Sequence, residues 1–592
     1  MIRRWQGVNN WAIEYTKTLA PGFFIRQVAV IMVLFAIGLL IVCALAGTFK
    51  ESALKEPVLK KSALKEPAFM GVSFGHLAGR FILSFPIGLS AFILAGYILL
   101  LLGIPYTALS VSVLMLLISA AAAYFSIRKG TFCELFTKDA LKWTILAIIA
   151  VIALACFAAS GIMPLSISND SMYYFHEYPK DIVYFGVLRD QFDTFLTDTG
   201  LGSVVIETLP FLFGFNESFG IREFMHINFL IYFVYRSYIL IFPVVCRHML
   251  PLQPFADDIT DNTPGRMGFL GKDEKKASAL TLAAAFILGV LLAAASPVWI
   301  LGHWAMANMY FMEFFFMAAL EAYYCKRDGN AVLLVALLSV SCSLLRIEGG
   351  VFMLLLTVCF TFLDYSGKEL ALDILGPMLI LTGGYGLKIF TSYTIDNPYT
   401  FLTPAKSALE AAAMTALIIY VIFVKNHLSE HFKRLMPFAL TAGLILLNLL
   451  LLVRNSSLYM ANLRAFYGNL MGQSGWGMMP HFLMAALIVL AVLYIRKIYD
   501  KSNKADSRAA DSAIDNGAAD NKKTSDGTMS LALYLCILSA GFVLMTIAAS
   551  YMRGDPLNVQ VGDSGNRVLM QIAPLLVITV VSLFTKVLDS DE

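Results

Sequence analysis

Apolar runs without a single charged side chain recur along nearly the whole chain, at 28–46, 91–102, 108–126, 145–159 and 280–295 among others. Several approach the ~20 residues that an α-helix needs to cross hydrocarbon. Only 14% of the 592 residues are charged and 58% are hydrophobic, whereas an ordinary soluble domain is about a quarter charged. A soluble core cannot cover that much apolar surface, so lipid is the solvent. The net charge of +3 comes from dispersed basic residues, which excludes nucleic-acid binding and leaves them as topology signals. The eight cysteines form no CxxC pair, which argues against a disulfide scaffold or a zinc site. No small-residue cleavage site follows the first apolar run, so that run is expected to stay as an anchor.

Reading the apolar runs against turns and charges predicts spans near 25–47, 80–102, 105–127, 143–163, 226–248, 279–301, 304–324, 330–346, 349–365, 371–393, 405–425, 435–453, 480–496, 530–551 and 567–587. The expected fold is an all-α polytopic membrane protein of about fifteen transmembrane helices, thirteen to seventeen. An extracytoplasmic acidic loop carrying short amphipathic helices belongs to it. Arg128, Lys129, Lys138 and Lys142, then Lys326 and Arg327, then Lys425, Lys433 and Arg434 all fall on one side, read as the cytoplasm. The segment 164–223 then lies outside. It has acids at 170, 177, 181, 190, 193, 198, 207, 217 and 223 against bases at 180, 189 and 222. The alternation conflicts with Arg3 and Arg4, which it also places outside, so one of the first three spans is open to an interfacial reading.

Four parts are expected. Residues 1–142 hold N-terminal membrane helices with a tolerant loop at 48–75, where SALKEP occurs twice in tandem. Residues 143–496 form a transmembrane core with the outer loop 164–223. Residues 497–528 carry six acids and six bases among small polar residues and read as a disordered cytoplasmic linker. Residues 529–592 form a C-terminal transmembrane pair.

Ionisable groups at membrane depth cost roughly 2.5–3.5 kcal/mol each on insertion scales, so those present are candidates for function. The first group is Asn169-Asp170-Ser171 with Tyr173, Tyr174, His176 and Glu177, just after the fourth span. A carboxylate at the membrane face beside aromatics and a histidine can act as a general base; an acidic loop capping a helix end is the other reading. The second runs from Phe213-Gly214 to Arg222, with His226 after it. An arginine there either pairs bidentately with a carboxylate or phosphate or snorkels to the interface. The third is Arg346-Ile347-Glu348-Gly349-Gly350 between two short helices, either a polar ligand site or a structural salt bridge. The fourth leads from Arg567 to Pro574 into the last helix. His303 and Arg464 are weaker members. The orientation rule puts all of these on one face.

These groups, in this order, resemble the GT-C membrane glycosyltransferases, which use polyprenyl-phosphate-linked sugars. Asp170 with Tyr173, Tyr174 and His176 is similar to the acidic motif of their first outer loop. Phe213-Gly214 to Arg222, the Arg346-Ile347-Glu348-Gly349 turn, and Arg567 to Pro574 resemble later motifs of that class. The likeness covers roughly 143–587, with Ser171 where many members have a second acid.

The resemblance implies a hexosyl- or pentosyltransferase with Asp170 as the base that deprotonates an acceptor hydroxyl. Transfer would invert the anomeric centre. Arg222, Arg346 or Arg567 would hold the lipid phosphate, and Tyr173, His176, Glu177, His226, His303 and Glu348 would line the substrate. No cofactor is required by it, while a divalent cation is compatible with the acidic loop. The partners implied are a polyprenyl-phosphate sugar, an acceptor glycan, lipid or protein, and membrane lipids. The location implied is a bacterial cytoplasmic membrane with the site on its extracytoplasmic face. The alternative is a transporter or flippase of lipid-linked saccharides, which predicts charges at mid-membrane and internal symmetry.

Overall fold

The computed structural model describes residues 21–47, 72–160, 177–187, 200–215, 219–249, 272–295, 298, 307–328, 330–346, 349–381, 404–428, 430–470, 476–515, 529–553 and 564–588. Their regular structure is helical, apart from an isolated bridge between Ala46 and Asn330. The longer helices are α1 (Pro21–Leu45), α2 (Val72–Leu101), α3 (Ala108–Lys129) and α4 (Lys138–Ala159), followed by short α5 (Tyr178–Phe185) and α6 (Leu201–Glu207). Then come α7 (Phe219–Met249), α8 (Lys272–Ala294), α9 (Ala307–Tyr324), α10 (Val332–Leu345), α11 (Gly349–Phe360) and α12 (Pro404–Ile419). The last are α13 (Glu430–Arg454), α14 (Ser456–Leu470), α15 (Met479–Asp515), α16 (Leu531–Arg553) and α17 (Ser564–Leu588).

Eleven helices among the described residues are long and apolar enough to cross a membrane. The chain is therefore a multi-pass membrane protein. These eleven match eleven of the expected spans, and the shortfall has a physical pattern. The expected spans 330–346 and 349–365 appear as α10 and α11, of 14 and 12 residues. At 1.5 Å per residue each is about 20 Å long, short of the ~30 Å hydrocarbon core. The expected span 304–324 appears as α9, with 18 residues, whose apolar character Glu313 and Glu321 dilute. Of 371–393, only the part up to 381 is described. Helices α9, α10 and α11 are buried on nearly every side. That is why α10 and α11 are apolar all round without each being a lipid-facing span.

The chain divides into two compact units. One comprises Met1–Phe233, Ala293–Thr361 and Tyr365–His427; the other comprises Val234–Leu292, Phe362–Asp364 and Leu428–Glu592. In the first unit α1 and α2 pack along their lengths through glycines. A methyl group on Gly38 would stand 1.7 Å from Ser84 O, and one on Gly88 1.9 Å from Leu34 O. Such close approach is the small-residue packing that membrane helices use in place of a hydrophobic driving force. The first three expected spans are all long and apolar enough to cross a membrane.

The two ends of the first unit differ. At one end Arg80 pairs with Glu134 at 3.2 Å, Lys129 donates to Ala44 O at 2.7 Å, Lys326 pairs with Glu369 at 2.8 Å, and Lys425 donates to Tyr365 O. Ala331 N donates to Leu45 O at 2.8 Å, joining the 326–331 turn to the end of α1. The lysines of three loops assigned to one side by the sequence therefore share this basic end. The opposite end receives part of the acidic segment. Tyr106 N donates to Gly186 O at 2.6 Å, and Tyr106 Oη and Thr208 Oγ1 are 2.7 Å apart. These bonds tie the α5 turn and the end of α6 to the α2–α3 connection.

Among the described residues, 164–223 contains α5, α6 and Leu209–Phe213, each short. Every residue of α6 is buried; it is an inserted helix packed on α2 and α10, not one lying amphipathically on a surface. Tyr184 by contrast is 81% exposed. The polar stretch expected as a disordered linker behaves differently as well. Residues 497–515 continue α15 as helix to Asp515, because their Ala, Lys, Arg and Asp mixture contains no Gly or Pro to end it. Residues 516–528 lie outside the described residues. Helices α16 and α17 pack on each other and on α13, α14 and α15 of the second unit.

Candidate functional site

The non-basic end of the first unit gathers the polar side chains that a lipid-embedded bundle otherwise avoids. Helix α7 begins where its Gly220 meets Gln27 of α1 and the backbone of Ala159 near the end of α4; an added methyl group would stand 2.8 Å and 2.9 Å from them. That close approach draws the first turns of α7 inward. Arg222 consequently is only 2% exposed and ion-paired with Glu207 of α6, itself 4% exposed. A charge so buried needs a partner of opposite sign. The guanidinium carbon also lies 5.7 Å from the ring centre of Tyr310 on α9, a cation–π arrangement.

One helical turn further, His226 Nδ1 is 3.1 Å from Glu313 Oε1. Glu313 is 1% exposed, and its second oxygen has no hydrogen-bonding partner among the described residues. The His226 ring stacks on Phe229 at 6.1 Å. Glu223, 6% exposed, adds another acid to the same stretch of α7. Deeper along α9, Tyr232 Oη donates to Glu321 Oε1 at 2.6 Å. Residues eight apart share a helix face, so Glu313 and Glu321 both meet α7.

Arg346 terminates α10 in extended backbone and donates to Asn308 Oδ1 in the first turn of α9. Gly200, at the start of α6, presses on the same place; a methyl group there would lie 2.2 Å from Leu345 C. Asn308 and Tyr310 thus bring Arg346 and Arg222 to the first turn of one helix. Chemically the cluster has carboxylates in excess of its fixed cations, an environment suited to taking up a proton or a cation.

Of the residues singled out in the sequence, the fold brings together Arg222, His226 and Arg346. Glu177 is exposed at the start of α5. Arg464 is exposed on α14, and Arg567 begins α17, both in the second unit. Asp170, Tyr173, His176, His303 and Glu348 lie outside the described residues. Helix α4, which the Asp170 segment follows in sequence, ends at Ala159 against Gly220 of α7. No group of three or more His, Cys, Asp and Glu side chains suited to a metal occurs among the described residues.

The sequence reading assigned no role to Glu207, Asn308, Tyr310, Glu313 or Glu321. For the two α9 acids the signal was present: both interrupt the apolar run 304–324, where an ionisable side chain costs most. Glu207 gave none beyond membership of an acidic loop, since pairing with Arg222 depends on how α6 inserts.

No family model, no curated protein and no solved structure matches this chain.

Proposed function

We propose that the protein is a membrane glycosyltransferase that moves a sugar from a polyprenyl-phosphate donor to an extracytoplasmic acceptor, with inversion. The observation that supports this reading best is the meeting of Arg346 and Arg222 on Asn308 and Tyr310 of α9. It lies at the same end of the first unit as the last residues of α4, which precede the Asp170 segment in sequence. In this reading Arg346, partly exposed and donating to Asn308 Oδ1, holds the donor phosphate. Arg222, closed off and paired with Glu207, is a positioning residue that fixes α6 against α7. Asp170 takes the proton of the acceptor hydroxyl as that oxygen attacks the anomeric carbon. The lysine-rich end faces the cytoplasm, by the positive-inside rule.

A second reading is favoured by one observation of its own. Glu313 and Glu321 lie buried within α9 rather than at one face, as a carrier of lipid-linked saccharides would have them. Incubating purified protein in lipid with polyprenyl-phosphate sugars separates the two. Transfer releases polyprenyl phosphate, whereas a carrier moves the intact lipid between leaflets without releasing it.

A further inference from the structure

The second unit holds buried polar atoms that no other described residue satisfies. Gln571 Nε2 and Oε1, Thr546 Oγ1, Trp476 Nε1 and His481 Nδ1 have no hydrogen-bonding partner among the described residues. Gln571, Thr546 and Trp476 are 1%, 4% and 6% exposed. An unmet buried amide or hydroxyl is among the costlier features a fold can carry, and each calls for a partner.

The helix registers bring these groups to one level. Helices α16 and α17 run antiparallel, linked by Ser539 Oγ and Thr579 Oγ1 at 3.3 Å. Two turns from that link α16 presents Thr546 and α17 presents Gln571, each on the stripe bearing the link, since residues seven and eight apart share a face. Helix α15 runs parallel to α17 and is joined to it where Lys497 Nζ donates to Val587 O. Counting back equally on both helices sets His481 level with Gln571, with Trp476 about a turn nearer the helix starts. From α14, Asn462 Oδ1 accepts from Ser550 Oγ beside this level.

The chemistry of the set selects its ligand. Gln571 offers a donor and an acceptor, Thr546 either, and Trp476 a donor beside an aromatic face. An anion would leave the Gln571 oxygen facing negative charge, and a cation would leave two N–H groups facing positive charge. Hydroxyl groups, each donor and acceptor at once, satisfy both. We propose that Gln571, Thr546 and Trp476 form a binding site for an uncharged polyhydroxylated ligand, a sugar ring in chemical class. The site stands on the second unit alone and holds whether the protein transfers saccharides or carries them.

The test uses the full chain in lipid nanodiscs free of glycoside detergent, with methyl β-glucopyranoside and methyl β-galactopyranoside as probes and inorganic phosphate as the ionic control. Binding is read as the fluorescence change of wild type that is absent from Trp476→Phe, and as a shift in thermal midpoint. At least one glycoside is expected to produce both. Gln571→Leu should weaken that response about tenfold or more, as when a hydroxyl loses its partner in a polar pocket. The same variant should leave the ligand-free midpoint equal or higher, because it removes an unsatisfied amide. Thr546→Val should behave alike and carries the test should Gln571→Leu fail to fold. No response of wild type to either glycoside, a response to phosphate alone, or a lowered ligand-free midpoint in both variants would overturn the proposal.

Discussion

Removing the carboxylate of Glu207 tests how the candidate site is held together. Glu207→Gln keeps the shape of the side chain but leaves the Arg222 guanidinium, 2% exposed, without its counter-charge. Deleting one partner of a buried ion pair costs about 3–5 kcal/mol, because the remaining ion stays desolvated. Arg222→Met should cost a similar amount by exposing the converse problem. Combining Glu207→Met with Arg222→Met should recover most of the loss, since both desolvation penalties vanish while the volume is kept. The assay is thermal unfolding in nanodiscs followed by circular dichroism. A chain of two units need not unfold in a single step, so the order of midpoints is the quantity compared. The expected order is wild type, then the double variant, then both single variants well below. Additive losses in the double variant would refute the pairing. Loss of donor binding in a well-folded double variant would refute the assignment of Arg222 as a positioning residue and return it to the phosphate.

Arg346→Ala should weaken lipid-donor affinity more than it slows bound-state transfer, since a phosphate is held before and after reaction. Arg346→Lys should rescue only in part, having lost the bidentate fork, and unchanged affinity in both variants would remove Arg346 from the site. Gly88→Ala should destabilise the α1–α2 pair by about 1–3 kcal/mol, because the new methyl group meets backbone rather than a side chain that can turn away. Gly443→Ala, with nothing within 4 Å, should be neutral or stabilising in the same midpoint assay, and equal effects would sink the close-approach argument. Glu321→Gln should leave glycosyl transfer within a few-fold of wild type on the transferase reading; abolition of lipid movement by this variant, with no transfer detected in wild type, would favour the carrier.

The membrane class and the limits of most spans were legible in the sequence, because charge-free runs of spanning length have few alternative fates in water. The expected spans 330–346 and 349–365 are where that logic fails: α10 and α11 are apolar because protein surrounds them, and hydropathy does not distinguish protein from lipid. The basic loops were assigned correctly to a common end, since Lys129, Lys326 and Lys425 are tied into one set of contacts. The site was legible only in part. Arg222, His226 and Arg346 were visible as charges near helix ends, but their partners Glu207, Glu313 and Asn308 come from elements 15, 87 and 38 residues away. No local pattern encodes such pairings, which α6 insertion and α9 burial create. The stretch 497–515 misled for the opposite reason, as a solvated composition is compatible with a helix extending beyond the membrane.

The central claim is glycosyl transfer with Asp170 as the base, and release of polyprenyl phosphate by Asp170→Asn measures it most directly. Asn keeps the size of Asp and caps a helix about as well, but it cannot accept a proton. A general-base role therefore predicts a loss of roughly 10²–10⁴-fold or more in turnover, with donor binding retained. Glu177→Gln and Asp181→Asn, in the same acidic segment, should stay near wild type. Wild-type turnover in Asp170→Asn, or an equal loss at all three positions, would contradict the account.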